Sequence, residues 1–350
     1  MQDRSPTARA DWPALLGTVA RDGGHAPRRR TAPTDLLWKV SLPDSVRSSP
    51  VLADGVLYVT CRDGWLRALD AATGRARWTV QAPASLHSTP AVVGDLVLFG
   101  GDDGKVRAVE RTAGVLRWEV ALDGPIWASP VVRDGLVFVG SSGGDFGAFD
   151  LADGRRRWLR QFEARIHSTA HAGDGRVIFG MSDGRVLALA AGSGEDVWTY
   201  QADDSVSAAP AVSDGVVVVG SEDYGIYGLD AATGERRWRV QTGLGVSSSA
   251  AVHGGVAYVG GKDGHLYALD VRDGRERWKA LSIRQITAAP VAGESLVCIQ
   301  GFWGSTIAHD AATGEVLWRA SLGGSLQSTP VITDEAIFLA TYPGVVYALR

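Results

Sequence analysis

The sequence ALDAATGRARW, residues 68–78, sets a pattern that the chain repeats at a fixed interval. Close copies are GLDAATGERRW at residues 228–238 and AHDAATGEVLW at residues 308–318. The closing tryptophan recurs every 40 residues, at Trp38, Trp78, Trp118, Trp158, Trp198, Trp238, Trp278 and Trp318. Such strict recurrence is typical of a repeat protein in which each unit packs on its neighbours.

Each unit contains four short β-type runs separated by turns rich in glycine. In the first unit these runs are residues 45–52, 55–60, 65–70 and 75–81, designated strands A to D. No stretch long enough for a helix shows helical periodicity, so the predicted fold class is all-β. Four strands in about 40 residues is the pattern of a propeller blade. The eight tryptophans therefore predict an eight-bladed β-propeller of four-stranded blades.

The two ends of the repeat predict how the ring closes. The last unit begins at Trp318 and stops at Arg350, after its strand C. Residues 36–40, in contrast, form a strand D with no strand A, B or C before it. We therefore expect residues 35–42 to lie beside residues 345–350 and to complete the last blade, which removes two exposed sheet edges.

The pattern Ala-x-Asp-x-x-Thr-Gly-x-x-x-Trp, complete at residues 68–78 and 308–318, resembles the tryptophan-docking motif of pyrroloquinoline-quinone-type (PQQ-like) propeller repeats. The resemblance covers residues 35–350, which we expect to form a single propeller domain. Residues 1–34 are then a leader that either wraps the ring or is disordered. The resemblance implies an architecture similar to that of an outer-membrane assembly lipoprotein, in which the repeated tryptophan packs between neighbouring blades.

Composition and charge exclude several kinds of partner and of structural feature. The net charge is −4 and the pI about 6.0, whereas nucleic-acid binding needs a basic face. The two cysteines, Cys61 and Cys298, are too few for a disulfide framework or a four-cysteine zinc site. No apolar run approaches the roughly 18 residues of a membrane span. We expect a monomer that is cytoplasmic as the sequence is written, or periplasmic or secreted if a leader was removed.

One column of the aligned units departs from the scaffold pattern. It lies at the start of strand A, where inner strands converge on the ring axis and the two following columns hold small residues. The column reads, from blade 1 to blade 8, Arg47, His87, Trp127, His167, Ser207, Ser247, Thr287 and Gln327. Columns that repeat are explained by the fold. This asymmetric ring therefore predicts a functional funnel at the axis, on the variable face that carries the D–A and B–C loops.

The predicted site residues follow from such departures. If the protein is an enzyme, His87 and His167 are the candidate general bases and Arg47 is the candidate anion-stabilising group. The predicted ligand-binding residues are Trp127, Arg165, Gln285, Gln327, Trp65, Trp303 and Tyr224. No metal-ligand spacing recurs, so we predict no metal site and no cofactor.

Three functions remain open from the sequence. The first is a binding propeller that recognises a small ligand, a peptide or a protein partner at the funnel and variable face. The second is a cofactor-independent lyase, cyclase or hydrolase that uses the same funnel. The third, implied by the PQQ-like resemblance, is a quinone-dependent dehydrogenase. Enzymes of that kind hold calcium with acidic and amide ligands and many carry adjacent cysteines, whereas this chain has no asparagine and no cysteine pair.

Overall fold

The structure is a computed structural model that describes most of the chain from residue 31 onward. The described ranges are 31–282, 284–301, 304–322, 324–325 and 328–350. Within them the chain is all-β, with 32 strands and no helix, and hence no helix that could serve as a membrane span. The predicted leader at residues 1–34 lies almost entirely outside these ranges.

The strands are short and evenly spaced along the chain. The first half comprises β1 (Leu36–Ser41), β2 (Val51–Ala53), β3 (Val56–Thr60), β4 (Trp65–Asp70), β5 (Ala76–Gln81), β6 (Ala91–Val93), β7 (Leu96–Gly100), β8 (Lys105–Glu110), β9 (Leu116–Ala121), β10 (Val131–Arg133), β11 (Leu136–Gly140), β12 (Asp145–Asp150), β13 (Arg156–Gln161), β14 (His171–Gly173), β15 (Arg176–Gly180) and β16 (Arg185–Ala190). The second half comprises β17 (Asp196–Gln201), β18 (Ala211–Ser213), β19 (Val216–Gly220), β20 (Gly225–Asp230), β21 (Arg236–Gln241), β22 (Ala251–His253), β23 (Val256–Gly260), β24 (His265–Asp270), β25 (Glu276–Leu281), β26 (Val291–Ala292), β27 (Leu296–Gln300), β28 (Ser305–Asp310), β29 (Val316–Ser321), β30 (Val331–Ile332), β31 (Ile337–Ala340) and β32 (Val345–Leu349).

These strands form eight separate four-stranded sheets, which confirms the predicted eight-bladed propeller. Blade 1 contains β2 to β5 in sequence order, and blades 2 to 7 each take the next four strands, up to β29. Blade 8 contains β30, β31, β32 and β1. All pairings within the blades are antiparallel, so the D–A and B–C connections lie at one face of the ring and the A–B and C–D turns at the other.

Strand A is shorter than the sequence predicts. In blade 1 it spans Val51–Ala53, whereas the expected run was residues 45–52. The preceding segment does not join a ladder, because Pro50 has no N–H and the Ser49 N–H donates instead to the Thr89 hydroxyl of blade 2 (3.0 Å). The segment therefore bonds across blades, and it lines the ring axis instead of extending the sheet.

The ring closes as predicted. Strand β1 pairs antiparallel with β32, with Trp38 opposite Ala348 and Ser41 opposite Val345. Beyond the strand, the amides of Thr34 and Asp35 both donate to the Arg350 carbonyl, at 2.7 and 2.9 Å. The first described segment therefore supplies the fourth strand of blade 8, and the two ends of the propeller are joined by backbone hydrogen bonds.

The repeated tryptophans join neighbouring blades. Seven of them donate the indole Nε1–H to the backbone carbonyl 33 residues later, at 2.9–3.0 Å. Trp198, for example, bonds the Ala231 carbonyl and packs with Val217 and Leu229 of blade 5. A Cβ on Gly234, whose φ is +75°, would come within 2.6 Å of that indole. The repeated glycine is thus required both by the turn conformation and by the packed ring.

His309 shows how the scaffold accommodates a polar residue in an apolar column. It is fully buried in blade 7, where its Nδ1–H donates to the Gly314 carbonyl (2.8 Å) and its Nε2 accepts from the Ser282 hydroxyl (2.9 Å). Burial lowers the pKa of this imidazole, and Arg319 lowers it further, against an opposing effect of the Gly314 carbonyl. The neutral ring is therefore part of the packed core.

The buried histidine predicts a pH-dependent stability. Because its folded pKa lies below its unfolded value of about 6.5, the unfolded chain binds more protons, and stability falls as the pH drops through that region. We expect Tm to decrease between pH 7.5 and pH 5.5, and to decrease less in His309→Leu, which carries the leucine found at Leu69 and Leu229. Scanning calorimetry at both pH values measures this. An equal decrease in parent and variant would contradict the assignment.

Candidate functional site

A cavity of about 190 Å³ lies on the ring axis, between the starts of the strand A segments. Two columns supply all of its lining residues except Ala288, namely the variable column that begins at Arg47 and the small column that begins at Ser49. The lining residues are Arg47, Ser49, His87, Thr89, Trp127, Ser129, His167, Thr169, Ser207, Ala209, Ser249, Thr287, Ala288, Ala289 and Thr329. Four of the predicted site residues therefore come together at one cavity.

Trp127 is the most prominent side chain of this cavity. It is 45% exposed, although an indole of this size is normally buried. Its Nε1–H donates to Asp102 Oδ1 at 2.9 Å. Its ring lies between two imidazoles, with ring-centroid distances of 5.7 Å to His87 and 4.6 Å to His167. One face of the cavity is thus an aromatic wall whose orientation is fixed by a carboxylate.

Both imidazoles of this wall are held in their neutral form. Burial lowers the pKa of His87, and nearby Arg47 and Arg62 lower it further, although Asp102, with Oδ2 3.3 Å from Nε2, acts in the opposite direction. Burial likewise lowers the pKa of His167, with an additional contribution from Arg165. At neutral pH each ring therefore carries one N–H donor and one acceptor nitrogen, and Nε2 already faces a protein group, Asp102 for His87 and Ser142 for His167.

The cationic groups of the funnel remain exposed. The Arg47 guanidinium lies over the Tyr342 ring, 5.4 Å from its centroid. Arg165 is exposed on the D–A loop between β13 and β14, and its backbone amide donates to the Ser182 hydroxyl (3.0 Å). A stacked guanidinium at the cavity rim keeps its outer N–H groups free to meet a carboxylate or carbonyl.

The small hydroxyl residues of the cavity wall have a structural role. The amide of each donates to the hydroxyl of the next blade, from Ser49 to Thr89, from Thr89 to Ser129 and from Ser129 to Thr169, at 3.0–3.1 Å. The same bond joins Thr329 to Ser49 across the closure, at 2.9 Å. These hydroxyls therefore link neighbouring blades at the cavity wall.

Of the other predicted ligand-binding residues, those that the structure describes lie outside the cavity lining. Trp65 is half-buried at the start of β4, and Tyr224 and Gln285 are exposed on loops of the same face. Trp303 and Gln327 lie outside the described residues. The structure thus brings Arg47, His87, Trp127 and His167 together, and places the other described candidates at the variable face outside this cavity.

Three functional candidates were not among the predicted site residues. Asp102 contacts both Trp127 and His87, the Ser142 hydroxyl lies 3.0 Å from His167 Nε2, and Tyr342 stacks with Arg47. All three occupy the same position of the B–C loop. A signal existed in the sequence, because this column also varies strongly: Arg62, Asp102, Ser142, Ser182, Glu222, Lys262, Phe302 and Tyr342.

The described residues contain no group of three or more His, Cys, Asp or Glu side chains positioned to hold a metal ion. Both cysteines are buried thiols, and burial raises the pKa of Cys61 to about 11. Neither thiol is therefore a reactive nucleophile near neutral pH.

The architecture and the tryptophan repeat define an eight-bladed propeller of the PQQ-repeat class. The chain belongs to the family described as "Outer membrane protein assembly factor BamB", whose model matches residues 29–200 and 163–350. BamB from Moraxella catarrhalis is similar in structure, with a TM-score of 0.78 and 20% identity, covering 90% of this chain and 99% of that one. No match was found among curated proteins.

Proteins with other roles share the same fold. The quinohemoprotein alcohol dehydrogenase ADHIIG from Pseudomonas putida HK5 has a TM-score of 0.80 and 16% identity, covering 97% of this chain and 80% of that one. The computationally designed Ika8 protein has a TM-score of 0.77 and 20% identity, covering 91% and 100%. At these identities the likeness establishes the fold, and function has to be argued from the site.

Proposed function

We propose that this protein is a non-catalytic binding propeller that takes up a segment of a protein partner at the axial cavity of its variable face. The observation that carries the proposal is Trp127, a half-exposed indole held by Asp102 at the cavity. Tryptophan, tyrosine and arginine are the residues that contribute most at protein interfaces. Arg47 and Tyr342, stacked on each other at the same rim, add the other two.

The size of the cavity supports a protein segment over a larger cofactor or ligand. Its volume is about 190 Å³. Pockets for drug-sized molecules occupy about 300–1,000 Å³. The space therefore suits one or two inserted side chains of a partner, with the surrounding loops contacting the adjacent backbone. A small ligand remains the alternative occupant.

The family description supports a cellular compartment for this binding. Its description names an assembly factor for outer-membrane proteins, which favours the periplasmic alternative over the cytoplasmic one. We extend the proposal accordingly: the partner is a protein of the cell envelope.

A site-specific photocrosslinker tests the proposal. Benzoylphenylalanine in place of Ser207, on the cavity wall, is expected to give discrete crosslinked protein bands in intact cells. The same residue in place of Asp134, on an exposed A–B turn of the opposite face, is the control and is expected to give none of those bands. Trp127→Ala is expected to abolish the bands from position 207. Identical bands from both positions, or bands indifferent to Trp127→Ala, would argue against the proposal.

A second candidate, a cofactor-independent enzyme, is favoured by one observation. His87 has a lowered pKa and a carboxylate partner, Asp102, 3.3 Å away, as a general base requires. Asp102→Asn separates the two functions, because the amide oxygen can still accept from Trp127 but carries no charge. In this variant, the affinity for the partner should change by less than about threefold. General-base catalysis should fall by about 100-fold.

We also predict that the protein is not a quinone-dependent dehydrogenase. The chain contains no asparagine, and the described residues offer no cluster of acidic ligands for calcium. Titration with pyrroloquinoline quinone and calcium, followed by an alcohol-oxidation assay, is expected to show only the quinone-free background rate. Quinone-dependent turnover above that background would refute the prediction.

A further inference from the structure

Tyr224 occupies a backbone position at which the other seven blades have glycine. In the B–C turns the equivalent residues are Gly64, Gly104, Gly144, Gly184, Gly264, Gly304 and Gly344, with φ between +74° and +94°. Tyr224 adopts a φ of +66°. Left-handed backbone costs a tyrosine of the order of 1 kcal/mol that glycine does not incur.

The site is crowded as well as strained. A Cβ on Gly184 would come within 2.5 Å of the Ala202 carbonyl oxygen and 3.0 Å of the Asp204 carbonyl oxygen. A Cβ on Gly64 would meet the equivalent pair of carbonyls in blade 2 at 2.9 and 3.1 Å. The standard blade therefore excludes a side chain here, and a tyrosine requires a different neighbouring loop.

The next D–A loop has that different composition. It reads Thr242-Gly243-Leu244-Gly245, and the buried Thr242 hydroxyl lies 2.9 Å from the Tyr224 carbonyl and 2.6 Å from the Leu244 carbonyl. Leu244 is the only large apolar residue in its column, whose other members are Asp44, Ala84, Gly124, Ala164, Asp204, Arg284 and Gly324. Thr242 thus links two residues that are both exceptional for their positions.

The result of these departures is an exposed apolar pair on the variable face. Tyr224 is 47% and Leu244 45% exposed, so neither recovers the strain by packing into the core. We propose that Tyr224 and Leu244 form a second docking point, separate from the axial cavity, for an extended protein segment that carries apolar and basic side chains. Strain that the fold does not need is often retained where a residue serves binding.

The charges around the pair select a basic occupant. Asp203 and Asp204 are exposed on the D–A loop of blade 5. The carboxylate of Glu222 is paired with Lys262 at 2.6 Å, and Asp223 lies 3.7 Å from Arg239, so these two acids are compensated. Asp203 and Asp204 leave an excess of negative charge on a loop that lies against the Tyr224 turn, since the Asp203 amide donates to Asp223 Oδ2 (3.0 Å). A segment with alternating leucine-like and arginine-like side chains would match both features.

This inference rests on the proposed function, and a synthetic probe tests it. The probe is a fluorescein-labelled 12-residue peptide of alternating Leu and Arg, measured by fluorescence anisotropy; the comparison peptide alternates Leu and Glu. We expect the parent to prefer the arginine peptide. Tyr224→Gly and Leu244→Ser should each weaken its binding at least tenfold, whereas Ala164→Ser, at the position of Leu244 in blade 4, should leave it unchanged.

Measuring Tm separates a binding role of Tyr224 from a structural one. Tyr224→Gly restores the residue of the other blades, so Tm should equal or exceed that of the parent, by up to about 3 °C. A clear loss of Tm, unchanged affinity in Tyr224→Gly, or no preference of the parent for the arginine peptide would each overturn the inference. Binding lost in Trp127→Ala but kept in Tyr224→Gly would overturn it while leaving the axial site intact. The reverse result would support the second docking point and count against the axial site.

Discussion

Deleting residues 1–42 is expected to lower Tm by about 10 °C or more, or to cause aggregation, because it removes the strand that closes the ring. Strand β1 supplies the antiparallel partner of β32. It also supplies Trp38, which packs against Phe338 with a ring-centroid distance of 6.0 Å and bonds the Ala71 carbonyl of blade 1. Without β1, the apolar strand β32 becomes an unpaired sheet edge, and blade 8 loses its tryptophan contact with blade 1.

Deletion of residues 1–30 is the matched control, because it retains β1 and the bonds of Thr34 and Asp35 to Arg350. Scanning calorimetry and light scattering compare the two truncations with the full chain. A 1–42 deletion that melts like the full chain and stays monodisperse would rule out closure by this strand.

Trp198→Ala is expected to destabilise the protein by about 3–5 kcal/mol, the usual cost of removing a buried tryptophan. The indole packs with Val217 and Leu229 of the next blade, and its Nε1–H satisfies the Ala231 carbonyl. The substitution therefore leaves a cavity between two blades and an unpaired carbonyl. Urea unfolding followed by circular dichroism measures the change in the free energy of unfolding.

Trp127→Ala removes the same number of atoms and serves as the control. Because Trp127 is 45% exposed at the axis and belongs to none of the buried clusters, we expect a cost of about 1 kcal/mol or less. A similar loss in both variants would mean that the two tryptophans have the same structural role. The repeated tryptophan would then have no special role in packing neighbouring blades.

The architecture was predictable because the repeat supplies the same information eight times. The tryptophan spacing, the glycine at each C–D turn and the incomplete last unit were sufficient for blade number and closure. The length of strand A was not predictable from residue type. Residues 45–50 lead toward the axis, but hydrogen bonds such as that from the Ser49 amide to the Thr89 hydroxyl connect neighbouring blades there, and no ladder forms.

The candidate site was predictable in part. Comparing the column of Arg47 across blades identified His87, Trp127 and His167, because a repeat separates scaffold residues from exceptions within one sequence. The contacts that orient these side chains were not predictable, since they cross from one blade to the next. Asp102, for instance, lies on the B–C loop of blade 2 and accepts a hydrogen bond from Trp127 of blade 3. This contact forms only when the blades are packed side by side in the propeller.

Whether the axial cavity is the binding site is tested by comparing the double variant His87→Ser with His167→Ser against the parent, for both Tm and crosslinking from position 207. Serine already occupies this column at Ser207 and Ser247, so the scaffold should tolerate the change and Tm should stay within about 3 °C. The partner crosslinks should disappear, because the aromatic wall around Trp127 loses both flanking imidazoles. Undiminished crosslinking would contradict the account, and so would an unfolded variant, which would make the two histidines part of the fold.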